Sequence, residues 1–175
     1  MFDFSENRVL ENFQENKSNF GGQSFESVLD ILDVAADKKY FLSEKVKPTI
    51  LSDGTAGYKS KSEINQRVAR TLTATMHKMH RACQDNYYSQ DYIESHGKEN
   101  PALTCTKEQL ASLPIRKITP EEAFMLQGFP KEFVTDARSA GVSDGALYQQ
   151  AGNAVSVNVV YAIMRYLIEC NAIKP

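Results

Sequence analysis

The 175-residue sequence has few cysteines, no long hydrophobic run and little net charge. Its three cysteines, Cys83, Cys105 and Cys170, are far apart, and no pair has the C-x-x-C spacing of a zinc site or a redox dithiol. The odd number is typical of a reducing compartment. No apolar stretch reaches the ~18 residues that a membrane span needs, and the acidic N-terminus lacks the apolar core of a signal peptide. We therefore expect a cytoplasmic protein with neither a membrane nor a metal as partner.

Charge is distributed unevenly along this chain of ordinary globular composition. The net charge is −2, which argues against a general polyanion binder. Residues 1–37, however, carry a net charge of −6, and residues 59–81 carry a net charge of +5. The basic segment is either a solvated helix face or a surface that binds one anion.

The first two thirds of the sequence predict loops, short strands and short helices. Residues 1–24 are polar and weakly folded, and residues 25–34 have helical hydrophobic spacing. Alternating threonines favour a strand with basic flanks at 68–76, although a helical stripe runs through the same region. Residues 84–107 are polar and aromatic, which indicates loops around short strands.

The last third predicts helices more sharply. Thr119-Pro120-Glu121-Glu122 has the residues of a capped helix start, and Gly128 is typical of a helix end. A second short helix and a loop with Gly141 and Gly145 are expected within 131–148. Hydrophobic residues at three- and four-residue spacing predict an amphipathic helix over about 156–170.

Two segments of this region resemble a known enzyme family. Residues 116–130 read RKITPEEAFMLQGFP, and residues 152–155 read GNAV. In this order, and followed by a terminal helix, they resemble the last two motifs of DNA (cytosine-5) methyltransferases, R-x-L-T-x-x-E-x-x-x-L-Q-G-F-P and G-N-[SA]-V. The short motif alone carries little information, but the two together are specific.

The resemblance implies a two-lobed enzyme. In the family, a large doubly wound α/β lobe binds S-adenosylmethionine and performs the chemistry, and a small lobe reads DNA in the major groove. We therefore expect an α+β fold: a small mixed target-recognition lobe of short strands and helices, ending in a C-terminal helix that belongs to the α/β methyltransferase lobe. The expected divisions are a polar segment at 1–24, a target-recognition domain at 25–148, and the cofactor motif with the C-terminal helix at 149–175.

Other family motifs are missing from the sequence. It has no F-x-G-x-G, and Q-x-R-x-R would lie upstream of residue 1. The family's nucleophile lies in Pro-Cys-Gln, whereas here the residues are Ala82-Cys83-Gln84; its acid lies in Glu-Asn-Val, whereas here they are Glu99-Asn100-Pro101. The resemblance thus implies the C-terminal portion of such an enzyme, inactive alone and without a catalytic residue. The thiolate that attacks a flipped cytosine would come from a catalytic lobe, in the same longer chain or a separate subunit.

The resemblance also implies which residues bind the cofactor. The GNAV segment lines the S-adenosylmethionine pocket in the family, which suggests Asn153 and the backbone of Ala154 and Val155. Free backbone N–H groups before a helix suit such contacts. Asn153 as the cap of that helix is an alternative or an additional role.

Double-stranded DNA is the expected partner, and in a bacterium the protein would associate with the nucleoid. The basic, threonine-rich stretch lies where the family has its variable recognition region. Positive side chains suit phosphates, and hydroxyls suit base edges or the backbone. The candidate DNA-binding residues are Arg70, Thr71, Leu72, Thr73, Thr75, Lys78, Arg81 and Arg116.

Purely structural roles remain open for several of these residues. The threonines could be ordinary strand formers, and the segment 116–130 is mainly structural in the family. His77 and His80 lack a third ligand, which favours histidines that lie near DNA or are inert over a metal site. A non-catalytic DNA-binding module or remnant is an alternative function, and part of a tRNA cytosine-5 methyltransferase is another. The ~90 residues before Arg116 favour a DNA reader over a tRNA enzyme, and neither the target sequence nor the oligomeric state follows from the sequence.

Overall fold

The computed structural model describes residues 25–54 and 60–169 of the chain. The polar segment expected at 1–24 and Cys170 lie outside the described residues. The helices and strands of the described part are α1 (Lys47–Leu51), β1 (Tyr87–Ser89), α2 (Gln90–Glu94), α3 (Pro101–Thr104), α4 (Lys107–Ala111), β2 (Ile115–Lys117), α5 (Pro120–Leu126), α6 (Lys131–Ser139), α7 (Asp144–Asn153) and α8 (Val157–Glu169), with 3-10 helices at Val28–Asp30, Lys38–Tyr40 and Met76–Lys78.

A short antiparallel pair of strands lies at the centre of the fold. β1 and β2 pair so that Tyr88 is opposite Arg116 and Ser89 is opposite Ile115. Successive side chains point to opposite faces of a strand. Tyr88 therefore joins one hydrophobic cluster, and Tyr87 joins the other. The expected mixture of helices and short strands is confirmed.

The two clusters divide the described residues into neighbouring cores. The larger core joins the 3-10 helix at Val28 to α5, α6 and α7, through Phe124, Val134 and Tyr148. The smaller core joins α1 to α4 and β2. Tyr88 of β1 and Ile118, directly after β2, belong to the larger core, whereas Tyr87 and Ile115 belong to the smaller one, so the sheet lies between the two cores.

Local signals in the sequence account well for α5. Its capping box is complete: the N–H of Glu122 is paired with the Thr119 hydroxyl, and the Glu122 carboxylate accepts from the N–H of Thr119. Gly128 has φ +85°, the left-handed conformation that favours glycine. The helix then closes with bonds from Gly128 N to Met125 O (2.9 Å) and from Phe129 N to Phe124 O (3.0 Å).

The helices α7 and α8 differ in how well the sequence predicted them. α8 at Val157–Glu169 agrees with the helix expected at about 156–170 within the described residues. Gly145, expected in a loop, is instead in the first turn of α7. Ser143 caps that helix, with its hydroxyl accepting from Ala146 N, so the helix begins before Gly145.

The strand expected at 68–76 is wrong. This stretch is irregular and continues into the 3-10 helix Met76–Lys78. Its backbone at Arg70 is bonded to a side chain and not to a neighbouring strand: Arg70 N donates to Asn86 Oδ1 (2.7 Å), and Asn86 Nδ2 donates to Arg70 O (3.1 Å). The alternating threonines therefore lie on a loop.

One stretch is long and apolar enough to cross a membrane by length and composition alone, Asp144–Glu169. It consists of two helices, α7 and α8, interrupted at residues 154–156. The 13-residue α8 is ~20 Å long, which is short of the ~30 Å hydrocarbon core of a bilayer. The apolar composition is better explained by the exposed face of α8 described below.

Candidate functional site

The irregular stretch at residues 70–80, which we call the threonine loop, is held at both ends. At the start, the side chain of Asn86 is hydrogen-bonded to both the backbone N–H and the backbone oxygen of Arg70. At the end, His80 N donates to Asp85 Oδ2 (2.8 Å), and Tyr87 Oη donates to His80 O (2.6 Å). Asp85, Asn86 and Tyr87 lie at or next to β1, so the loop is tied to the central sheet.

An open groove runs along this loop. Its volume is about 540 Å³. It is lined by Arg70, Thr71, Thr73, Thr75, His80, Cys83 and Gln84. The structure thus brings four of the sequence-predicted DNA-binding residues to one opening.

The threonines present their hydroxyls differently along the groove. Thr71 and Thr75 are exposed, whereas Thr73 is half-buried. The Thr73 hydroxyl is shielded from water and has no hydrogen-bond partner among the described residues. A buried polar atom without a partner is costly, and this hydroxyl is not open to a ligand in the present arrangement of the loop.

The other candidate residues have different surroundings. Arg70 is 28% exposed, with Nη2 3.9 Å from the Glu63 carboxylate, and Lys78 is exposed. Arg81 donates from Nε to Ser52 Oγ (3.1 Å), which holds it away from the groove lining. Leu72 packs against the larger core. Arg70 and Lys78 therefore remain available for anions, and Leu72 anchors the loop.

Arg116 has a buried, structural position, which corrects the expectation of a phosphate contact. Its side chain is fully buried, and the Glu122 side chain opposite is 2% exposed. Arg116 Nη1 and Nη2 donate to the two Glu122 carboxylate oxygens at 2.9 and 2.7 Å, and Nη2 also donates to Asp33 O (2.9 Å). The guanidinium has no surface to offer a phosphate.

The two histidines of the loop have no metal-like surroundings. Among the described residues, no group of three or more potential metal ligands occurs. His80 Nδ1 lies 3.1 Å from Asp85 Oδ2. Burial raises the pKa of Asp85, and the hydrogen bonds from His80 oppose that rise. His80 therefore helps to hold a buried carboxyl at the base of the loop.

The GNAV segment spans the junction between α7 and α8. Gly152 and Asn153 end α7, and Val155 is 66% exposed ahead of α8. Asn153 is thus the last residue of one helix and not the cap of the next, which corrects that alternative. Its side chain is exposed at the break between the helices.

Gln127 of the first family-like segment fixes this junction. Its Nε2 donates to Ala151 O (3.0 Å), and its backbone oxygen accepts from Val157 N (2.9 Å). One residue therefore holds the end of α7 and the start of α8.

The two candidate regions meet at Gly152. A Cβ added there would lie 2.2 Å from the carbonyl carbon of Thr73 and 2.3 Å from Ala74 N. The end of α7 thus touches the backbone of the threonine loop. The DNA-binding and cofactor candidates, more than 70 residues apart in sequence, form adjoining surfaces.

An apolar face of α8 is exposed next to this junction. Seven of its large hydrophobic side chains are between 40% and 52% exposed: Val157, Val159, Val160, Tyr161, Ile163, Met164 and Ile168. Phe133 on α6 is 42% exposed as well. Several exposed hydrophobic side chains on one helix are typical of an interaction site.

Sequence reasoning missed the groove residues Cys83 and Gln84, and for His80 it left a position near DNA open beside an inert one. They line the groove because hydrogen bonds from His80 to Asp85 and from Tyr87 to His80 turn the chain back there. No local sequence pattern predicts these two hydrogen bonds. Sequence reasoning also missed the packing role of Gly152. A signal existed there, since glycine in a helix is unfavourable without a reason such as close approach.

The chain matches the model of a known protein family. The family model described as C-5 cytosine-specific DNA methylase matches residues 3–169.

Curated relatives are similar over most of this chain. It is 33% identical to the type II methyltransferase M.NlaX of Neisseria lactamica, over 78% of this chain and 37% of that protein. It is 29% identical to the type II methyltransferase M1.ScrFI of Lactococcus lactis subsp. cremoris, over 80% of this chain and 31% of that protein. The chain therefore spans about a third of the length of these relatives.

The fold is similar to that of a solved methyltransferase. The structure of the Entamoeba histolytica methyltransferase EhMeth matches with a TM-score of 0.62 and 20% identity, over 85% of this chain and 42% of that one.

Proposed function

Because the chain belongs to the family of C-5 cytosine-specific DNA methylases, we propose that it supplies the DNA-recognition surface and the final part of the S-adenosylmethionine pocket. In this proposal the catalytic lobe, with its cysteine, lies outside these 175 residues. The observation that carries the proposal is the groove along the threonine loop, which adjoins the GNAV junction at Gly152.

The groove suits DNA by its chemistry. Arg70 lines the groove and Lys78 is exposed on the same loop, outside the groove lining. Both supply positive charge for phosphates, which gives affinity and sets orientation. The hydroxyls of Thr71 and Thr75 are exposed, and short hydroxyl side chains can bond either kind of base edge.

The junction suits one edge of the cofactor. Methyltransferases of this family use S-adenosylmethionine as the methyl donor. Asn153 offers an exposed amide, and Val155 offers apolar surface beside it. An amide that both donates and accepts fits a ligand with amino, carboxylate and hydroxyl groups. Asn153, Ala154 and Val155 would therefore hold and orient the cofactor against the catalytic lobe.

The exposed face of α8 suits that lobe. Side chains such as Val160 and Ile163 are more than 40% exposed, and burying them against another surface is favourable. In the family this helix belongs to the large lobe. The apolar face is thus the surface on which the missing lobe would pack.

Catalysis in this arrangement is divided between the lobes. The groove binds the duplex around the target, which is flipped from the stack because its ring atoms cannot be attacked within the helix. The junction holds the methyl donor. Of the described cysteines, Cys83 lines the groove and Cys105 is half-buried elsewhere, and we assign the nucleophile to neither.

A matched pair of variants tests the groove. Arg70→Ala removes a groove arginine, and Arg67→Ala removes an exposed arginine of the same basic segment that does not line the groove. In the enzyme assembled with its catalytic lobe, we expect Arg70→Ala to lower the slope of log affinity against log salt by ~0.9 for one lost phosphate contact. Arg67→Ala should leave the slope unchanged.

Equal effects of the two variants, or none for Arg70→Ala, would contradict the assignment of the groove. The same titration with tRNA in place of duplex DNA separates the substrates. Tighter binding of tRNA than of DNA would favour the RNA-modifying alternative.

A further inference from the structure

Gly152 makes a contact that only glycine allows. An added Cβ would lie 2.2 Å from the carbonyl carbon of Thr73, and 2.3 Å from both Thr73 O and Ala74 N. Non-bonded carbon atoms settle at ~3.5–4.0 Å, so a methyl group cannot fit. All three atoms belong to the peptide that joins Thr73 to Ala74, and no side-chain rotation can relieve the overlap.

Backbone conformation does not explain the glycine. Gly152 is not among the described residues with positive φ, and it lies within α7. A glycine within a helix costs ~0.5–1 kcal/mol relative to alanine. Gly145 near the start of the same helix has nothing within 4 Å of its added Cβ. The close approach to the threonine loop therefore distinguishes Gly152.

Both sides of this contact are fixed elsewhere. The threonine loop is tied to the sheet region through Asn86 and Asp85. The end of α7 is tied to Gln127, which also holds the first residue of α8. A displacement of the 73–74 peptide consequently presses on Gly152 and moves the three residues that follow it.

We propose that Gly152 is a positioning residue that couples DNA binding by the threonine loop to S-adenosylmethionine binding at Asn153–Val155. The inference rests on the proposed function and adds to it a coupling between the two sites. DNA that engages Thr71 and Thr75 fixes the intervening peptide, which fixes the end of α7 and the junction. By linkage, the cofactor must favour DNA binding by the same factor.

The test measures that factor in the enzyme assembled with its catalytic lobe. S-adenosylhomocysteine is titrated with and without saturating unmethylated, sheared genomic DNA, and the ratio of the two dissociation constants is the coupling. We expect a ratio of ~5 or more for the unchanged chain, at the lower end of typical allosteric couplings, and a ratio within ~2 of unity for Gly152→Ala. Gly145→Ala, the same change in the same helix, should keep the original ratio.

A second measurement covers a Gly152→Ala chain that fails to fold or assemble. In the unchanged enzyme without DNA, S-adenosylhomocysteine should slow hydrogen exchange of amides in residues 71–79, which the proposal places outside the cofactor site. Unaltered exchange there, a ratio near unity in the unchanged enzyme, or a full ratio in Gly152→Ala would overturn the coupling. Failure of the unchanged enzyme to bind either ligand would instead refute the proposed function itself.

Discussion

Replacing Glu122 by glutamine should destabilise the fold more than any other single charge removal in α5. Its carboxylate accepts from Arg116 Nη1 (2.9 Å), Arg116 Nη2 (2.7 Å), Thr119 N (2.7 Å) and Asp33 N (2.7 Å). Glutamine keeps the size but places an N–H₂ donor among these donors. Because Arg116 is fully buried, its charge would be left without a counter-ion.

The expected loss is ~3–5 kcal/mol, the cost of breaking a buried ion pair by removing one partner. Domains of this size have a total stability of about 5–15 kcal/mol, so the variant should unfold far earlier in urea, as followed by circular dichroism. Glu121→Gln is the matched control. Glu121 pairs with Arg138, which is 32% exposed, and such a pair contributes ~1 kcal/mol or less.

A loss below ~1 kcal/mol for Glu122→Gln would refute the structural role of this pair. The double variant Arg116→Met with Glu122→Leu supplies a further check. Replacing both charges by apolar side chains of similar size leaves no uncompensated ion, so this variant should be more stable than Glu122→Gln alone.

Three further predictions concern the loop, the helices and the apolar face. Asn86→Ala removes both bonds to Arg70, so it should cost ~1–3 kcal/mol in urea unfolding and weaken DNA binding by the assembled enzyme, and unchanged DNA affinity would contradict the tethering role. Burial raises the pKa of Asp144, but bonds from Lys39 and other donors outweigh it and lower the pKa to about 2. The stability that comes from this lowered pKa is complete above pH ~4 and is lost as the pH falls towards 2. Asp144→Asn should remove this acid-dependent loss of ~1–2 kcal/mol. An unchanged dependence of stability on pH in this variant would argue against the role of Asp144. Ile163→Glu on α8 should weaken association with the catalytic lobe in a co-purification assay, whereas unimpaired association would place the interface elsewhere.

Local chemistry made parts of the fold predictable from the sequence. The start of α5 depends on Thr119, Pro120 and Glu122, which lie within one turn, so the complete capping box can be recognised from the sequence alone. α8 has enough hydrophobic periodicity to be located within a residue or two. The two cores were not predicted, because they join residues that are distant in sequence.

Long-range contacts explain the errors. Threonine alternation at 71–75 indicates a strand only if a neighbouring strand takes its hydrogen bonds, and here Asn86 bonds the backbone at Arg70 instead. Arg116 is buried through its contacts with Glu122 and with Asp33, which is 83 residues away. Because no local pattern reveals the contact with Asp33, the sequence suggested an exposed phosphate ligand. The groove was predictable only in part. Its threonines belong to the basic, threonine-rich stretch that the sequence analysis singled out, whereas Gln84 lines the groove because the chain turns back at His80.

The proposed division of the enzyme into a recognition part and a catalytic part is tested most directly by methyl transfer from labelled S-adenosylmethionine to unmethylated DNA. The assay compares the 175-residue chain purified alone with the material that a tagged chain retains from its source cells. The proposal predicts no transfer by the chain alone, and labelled DNA when a polypeptide with the Pro-Cys-Gln motif is present in the retained material. Transfer of label by the purified chain alone would place the nucleophile within these residues and contradict the proposal.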